Sequence, residues 1–190
     1  MFYGTKILKS AFQATTLRTA GFYSMEQNEL TPVSKLIAVC MMFIGGSPVS
    51  TAGGIKTTTL GVIILLVVNY IKGRQEINVF NKKISANAIN RAIVVISISI
   101  FFIIMAISAL LITENSSIVD IVFEVVSAFA TVGLTLGVTA KLTFAGKIVI
   151  ILLMIIGRLG PITISIALFK KHKEIKQQKA QYPQGNIIIG

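Results

Sequence analysis

The sequence predicts an all-α membrane protein assembled from about one and a half copies of a single helical repeat. Three observations carry that expectation. The 190 residues are 54% hydrophobic and only 13% charged, with a mean hydropathy of +0.81, whereas soluble domains run near a quarter charged. Residues 92–113, "AIVVISISIFFIIMAISALLIT", are 22 positions without a charge, enough for a helix to cross about 30 Å of hydrocarbon. Two stretches of the chain also match without a gap at an offset of 112 residues, and internal symmetry is common among transport proteins. The competing reading of 92–113, a buried helix of a soluble domain, fits poorly with its length. A signal peptide is excluded by position and by the lack of a cleavage site.

The first copy opens with a short apolar stretch, "AFQATTL", within residues 10–18. It is too short to cross a bilayer and suits a re-entrant helix. Thr19-Ala20-Gly21-Phe22 follows, then a polar linker, then uncharged residues 36–55, Lys56, and uncharged residues 57–71. Together these exceed one crossing, so the middle, "GGSPVSTAGGIKTTTLG" at 45–61, must loop or kink inside the membrane. Gly45, Gly46, Pro48, Gly53 and Gly54 weaken helix there. Ser47, Ser50, Thr51 and Thr57 are placed to satisfy the freed backbone groups. A phosphate-binding loop would need G-x-x-x-x-G-K-[ST]; here Lys56 follows Ile55, and position 50 is Ser. Two readings of the segment stand, a moving loop of low local stability and a fixed kink that accommodates packing.

The second copy is complete. The span 92–113 leads to "IVDIVFEVVSAFA", a second short helix, with Ser116 and Ser117 as candidate N-caps and Asp120 suited to its first turn. Then come Thr131-Val132-Gly133-Leu134, Leu142-Thr143 (matching Leu30-Thr31), Lys147 (matching Lys35), and Met154, Ile156 and Gly157 (matching Met42, Ile44 and Gly45). From 148 to 169 the only charge is Arg158, followed by Gly160-Pro161. A charge so placed is costly and should face protein or water rather than lipid; snorkelling to an interface fits its central position poorly. The chain divides into residues 1–72, an incomplete repeat; 73–90, a basic linker; 91–171, a complete repeat; and 172–190, a tail.

The net charge of +11 is segregated. Lys72, Arg74, Lys82, Lys83 and Arg91 crowd 72–91 against Glu76, and five lysines crowd 170–179 against Glu174, whereas the loop after Glu114 has no basic residue. Positive-inside bias puts 72–91 and the C-terminal tail in the cytoplasm and residue 114 outside. The basic runs report topology and contact with anionic headgroups; no aromatic residues interleave them as nucleic-acid binding would require. By the same bias the N-terminus starts outside with no preceding span, so the chain is expected to be a C-terminal piece of a longer protein. Cys40 is the only cysteine and His172 the only histidine, which leaves no disulfide framework or metal cluster. Seven scattered acidic residues offer no enzyme-like constellation.

T-x-G after a half-helix has a chemical meaning. A dehydrated cation needs oxygen ligands, which extended backbone can supply if its carbonyls face one axis. Glycine permits the dihedrals, and a half-helix aims its partly negative C-terminus at the cation. One T-x-G is weak; two at matching offsets are stronger. With "TLRTAGF", "GGSPVSTAGGIKTTT", "FEVVSAFATVGL" and "MIIGRLGPITI", the chain resembles the Ktr/Trk/HKT superfamily of potassium transporters over nearly its whole length, most closely the membrane subunit of the Ktr branch. The resemblance implies helix–pore-helix–helix repeats folded as a K⁺-channel-like pseudo-tetramer around one pore, with the end of the third repeat and all of the fourth present here. It implies that Thr19, Ala20, Gly21, Phe22, Thr131, Val132, Gly133 and Leu134 form two of four filter segments. Backbone carbonyls of Thr19, Ala20, Gly21, Thr131, Val132 and Gly133 would hold K⁺.

The resemblance also implies a gate built from Gly45, Gly46, Ser50, Thr51, Gly53, Gly54 and Lys56, with Arg158 beside it. It implies plasma-membrane K⁺ uptake, with no cofactor in this chain and Na⁺ as a candidate coupling ion. The implied partners are a second copy, in a homodimer, and a cytosolic nucleotide-binding regulatory ring (KtrA-like) that would own any ATP, ADP or NAD site. Residues 182–190 either dock at the dimer interface or form a disordered end. The alternative function is a non-conducting membrane scaffold or assembly subunit. Glu124 has two readings, a bond behind the filter or a structural carboxyl at the outer mouth. No partner for Arg18 follows from the sequence.

Overall fold

A computed structural model describes residues 3–48, 50, 52–73, 77–79 and 82–160. Thr51, Pro161 and the tail lie outside the described residues. The fold is mostly helical: α1 (Tyr3–Thr16), α2 (Pro32–Phe43), α3 (Thr57–Ile71), α4 (Ala86–Thr113), α5 (Ile118–Phe129) and α6 (Phe144–Leu159). Short 3-10 turns at Gln27–Glu29 and Thr139–Lys141 precede α2 and α6.

The core is built around α5. Its residues Ile121, Phe123, Val125 and Phe129 have no exposed surface, and α2, α4 and α6 all pack on it. Helix α1 is the opposite case, with only Thr16 buried. Ser117 caps α5 by accepting from Asp120 N–H at 3.2 Å, and Asp120 lies in the first turn, where a carboxylate complements the helix dipole. Asp120 also stands 3.8 Å from Lys35 of α2, which ties the two packed helices together.

The start of α6 repeats the start of α2. Thr31 accepts from Ser34 N–H, and Thr143, 112 residues later, accepts from Gly146 N–H. Among the described residues, a second cap acts at α6. The Glu114 carboxylate, at the end of α4, accepts from Thr143 N–H at 3.0 Å and from Thr143 Oγ1 at 2.6 Å. It thereby holds the end of α4 against the positive end of α6. Glu114→Ala is expected to cost about 1–2 kcal/mol, read as a Tm several degrees lower in detergent.

Helix α4 is 28 residues long with a hydropathy of 2.9, and it is the one helix among the described residues long and apolar enough to cross a membrane. Its Phe101, Ile104, Met105 and Ile112 are exposed, as are Ile151, Leu152 and Ile155 of α6. Such apolar surface suits lipid rather than water, and packing between helices there rests on dispersion and hydrogen bonds.

Three elements depart from the sequence reading. Helix α1 begins at Tyr3 rather than near residue 10, because Lys6 and Lys9, which break the apolar pattern, are good helix formers. Helix α4 begins at Ala86, inside the stretch read as linker, since Ser85 caps it by accepting from Ala88 N–H at 3.3 Å. The linker also holds a two-strand hairpin, β1 (Asn78–Val79) and β2 (Lys82–Lys83), paired antiparallel. Ile84 N–H donates to Ile77 O at 2.9 Å beside it, with Ile77 buried, so β-branched residues at its base favour extended backbone.

Candidate functional site

Both short helices run into a T-x-G segment with the same unusual backbone. Thr19 sits at φ +67° and Gly21 at +77°; Thr131 sits at +56° and Gly133 at +87°. Ala20 and Val132, between them, keep negative φ. Residues of positive and negative φ thus alternate in the same order in both segments, a pattern that a plain strand does not show. At the end of α5 the turn is a Schellman motif, with Val132 N–H donating to Ser127 O at 2.9 Å and Thr131 N–H to Ala128 O at 3.1 Å. Glycine normally takes the left-handed place in this motif, so a threonine there is held at a cost.

A hydroxyl from each short helix fixes the far end of its segment. Thr16 Oγ1 donates to the Phe22 carbonyl, and Ser127 Oγ donates to the Leu134 carbonyl at 2.6 Å. The two segments touch each other: a Cβ added to Gly21 would lie 2.5 Å from the Val132 carbonyl oxygen.

The glycine-rich loop between α2 and α3 is closed at its neck by backbone bonds. Gly45 N–H donates to Ile55 O at 2.8 Å, Ile55 N–H to Phe43 O at 3.1 Å, and Thr57 N–H to Gly46 O at 3.3 Å. Lys56 Nζ reaches back to donate to the carbonyls of Ser50 and Ala52, and Ser50 Oγ donates to Ser47 O at 2.7 Å. The loop reaches the second T-x-G segment, where Gly53 N–H donates to Thr131 Oγ1 at 3.0 Å. Glycine is required by that approach, since a Cβ on Gly53 would meet Thr131 Oγ1 at 2.7 Å and the Ala130 carbonyl oxygen at 2.8 Å. Gly54, at φ +73°, lies over Ala130.

Residues 2–179 match the family model TrkH, described as cation transport protein. The chain belongs to the TrkH family. It is 42% identical over 185 residues to the Ktr system potassium uptake protein B of Bacillus subtilis, covering 97% of this chain and 41% of that protein. It is 38% identical over 189 residues to the potassium/sodium uptake protein NtpJ of Enterococcus hirae, covering 97% and 42%. The crystal structure of the potassium transporter TrkH from Vibrio parahaemolyticus superposes with a TM-score of 0.69 at 21% identity, over 86% of this chain and 37% of that one, a likeness of fold. The chain therefore spans about two fifths of the length of the curated relatives it matches.

Within this TrkH-family chain, Arg158 falls in the last turn of α6. It lines a cleft of about 710 Å³ between α5 and α6, together with Glu124, Ser127, Thr131, Gly133 and Met154. Its charge is felt at Lys56, which brings the α6 end and the loop base within electrostatic reach. Glu124 is buried and accepts from Thr135 Oγ1 at 2.9 Å. The bond joins α5 to the segment that follows Gly133. Arg18 is exposed, and among the described residues no carboxylate pairs with it. The structure thus gathers both T-x-G segments, the loop and Arg158 around the ends of α5 and α6; Thr51 lies outside the described residues. Sequence reasoning did not single out Ser127, Thr16 or Glu114. A Ser or Thr just upstream of each T-x-G was the only visible signal for the first two.

Proposed function

We propose that the chain forms part of a potassium uptake pathway across the plasma membrane, with residues 19–22 and 131–134 as two filter segments. Backbone carbonyls of Thr19, Ala20, Gly21, Thr131, Val132 and Gly133 replace the hydration shell of K⁺. The observation that carries the reading is the alternating backbone of two separate T-x-G segments in direct contact. Neither a packing kink nor a scaffold needs two strained backbones of one pattern brought together.

The loop from Gly45 to Lys56 acts as the gate, and Arg158 adds a positive barrier beneath the filter when the loop is closed. Na⁺ is a coupling or competing ion, a reading supported by the name of the Enterococcus relative. The Bacillus relative is named as one component of a Ktr system, which supports assembly with a cytosolic nucleotide-binding ring; the membrane part is a homodimer. The C-terminal tail faces the cytoplasm.

Rubidium uptake into cells stripped of their own K⁺ systems tests the reading. Uptake that depends on this chain is expected, and K⁺ should compete for it. A scaffold gives protein in the membrane and no uptake.

Ser127→Ala tests the filter brace. It leaves the Leu134 carbonyl without its buried donor, a cost of about 1–3 kcal/mol. The expected result is K⁺ uptake that persists with weaker discrimination against Na⁺, read as a higher inhibition of rubidium uptake by Na⁺.

A further inference from the structure

We propose that Gln13 and Gln27 are positioning residues for the first T-x-G segment, holding residues 19–22 at the spacing that favours K⁺ over Na⁺. The proposal rests on the conduction reading above and adds to it two residues that no sequence pattern singled out. Gln13 lies in α1, before the segment, and Gln27 opens the 3-10 turn after it. Their carboxamides pair reciprocally across a separation of 14 residues. Gln13 Nε2 donates to Gln27 Oε1 at 2.6 Å, and Gln27 Nε2 donates to Gln13 Oε1 at 3.2 Å. Gln27 Nε2 also donates to Met25 O at 3.1 Å, and Gln27 is buried, with 4% of its surface exposed.

The repeat shows what the pair replaces. Offset by 112 residues, Gln13 falls on Val125 and Gln27 on Thr139. Val125 has no exposed surface, and α5 is packed by α2, α4 and α6. Helix α1 has only Thr16 buried among the described residues, so packing does not hold its segment as it holds the second. The amide pair does so instead, together with the Thr16 bond to the Phe22 carbonyl. Two buried carboxamides are costly unless each satisfies the other. A satisfied pair fixes distance and direction, where two apolar side chains would slide. The pair is also neutral, so it adds no net charge behind an ion path.

The pair brackets the segment from both sides. Leu30 N–H donates to Gln27 O at 3.3 Å, next to Thr31, the cap of α2. The amides therefore tie α1, the chain after the filter and the start of α2 into one circuit of contacts. Carbonyls replace an ion's hydration shell through their number and the spacing at which they are held. Na⁺ is smaller than K⁺, so a segment free to draw inward gains contact with Na⁺ and loses its preference. Loss of the tie thus acts on selectivity before it acts on throughput.

Methionine matches glutamine in length and lacks its donor and acceptor, so it removes the tie and keeps the volume. Rubidium uptake is measured in cells stripped of their own K⁺ systems, with Na⁺ as the inhibitor, beside the Tm in detergent. Gln13→Met should lower the Tm, because Gln27 stays buried without its partner. It should also raise the KM for rubidium several-fold with little change in maximal rate, and let Na⁺ inhibit at a several-fold lower concentration. Gln13→Met/Gln27→Met removes both polar groups, so the Tm should recover while the KM and the Na⁺ inhibition stay as in the single variant. A merely structural pair would not separate the two readouts. Compared with the unsubstituted protein, the double variant decides the question even where the single variant folds poorly. Unchanged Na⁺ inhibition in the variants, or inhibition that recovers together with the Tm in the double variant, overturns the positioning role. Uptake by the unsubstituted protein locates the failure: uptake that is present leaves conduction standing without the tie, and uptake that is absent removes both.

Discussion

Gly21→Ala is expected to abolish rubidium uptake, while Gly133→Ala leaves a measurable remainder. Both glycines have left-handed backbone, at φ +77° and +87°, so both substitutions carry the cost of an L-residue there, about 1–2 kcal/mol. The surroundings differ. A methyl on Gly21 would sit 2.5 Å from the Val132 carbonyl oxygen, whereas a methyl on Gly133 meets nothing within 4 Å. Val132 O is backbone of the neighbouring segment, which cannot rotate away as a side-chain tip would. Relief therefore displaces one of the proposed ion ligands. Each 1.4 kcal/mol is about tenfold, so Gly133→Ala should retain roughly a tenth of the uptake and Gly21→Ala none above background. Initial rates at matched membrane abundance check the order. Equal losses, or a milder effect at Gly21, would remove the contact between the segments from the mechanism.

What was legible in the sequence was mostly arithmetic of length and repetition. Residues 36–71 are too long for one apolar crossing, and the break between α2 and α3 falls among the glycines that signalled it. Thr19, Gly21, Thr131 and Gly133 stood out because the chain repeats them, and all four have positive φ. Ser117 and Asp120 took the cap and first-turn places read from local chemistry. Contacts of a backbone N–H with a distant side chain were illegible. Gly53 and Thr131 are 78 residues apart, and Glu114 and Thr143 are 29 apart; no periodicity reports which donor meets which acceptor across a tertiary contact. The hairpin at Asn78–Val79 was hidden for another reason, since the positive charges around it dominate a composition-based reading while its pairing depends on Ile77 and Ile84. Arg158 lies between these cases. Its isolation required it to face protein or water, but only packing put it on the same cleft as Thr131 and Gly133.

That placement sets the other large effect. Arg158→Gln is expected to raise rubidium uptake about tenfold. The guanidinium ends α6, where the helix dipole favours a cation, and its charge reaches Lys56 at the base of the loop. On the proposed reading both positive charges lie on the inner side of the segments and repel a cation leaving them. If the charge stands on the order of 10 Å from the path, at an effective dielectric near 20, it costs a passing cation roughly 1.5–2 kcal/mol, or about a factor of ten in rate. Glutamine keeps much of the side-chain length and hydrogen-bonding capacity and removes that repulsion. It also forfeits the favourable end-of-helix term, about 0.3–1 kcal/mol, so a slightly lower Tm should accompany faster uptake. Arg158→Lys separates charge from shape, because a lysine keeps the charge and loses the planar fork. Uptake with lysine close to that with arginine assigns the barrier to charge; uptake with lysine as fast as with glutamine assigns it to hydrogen bonds of the guanidinium; and no change with glutamine takes Arg158 out of the gate.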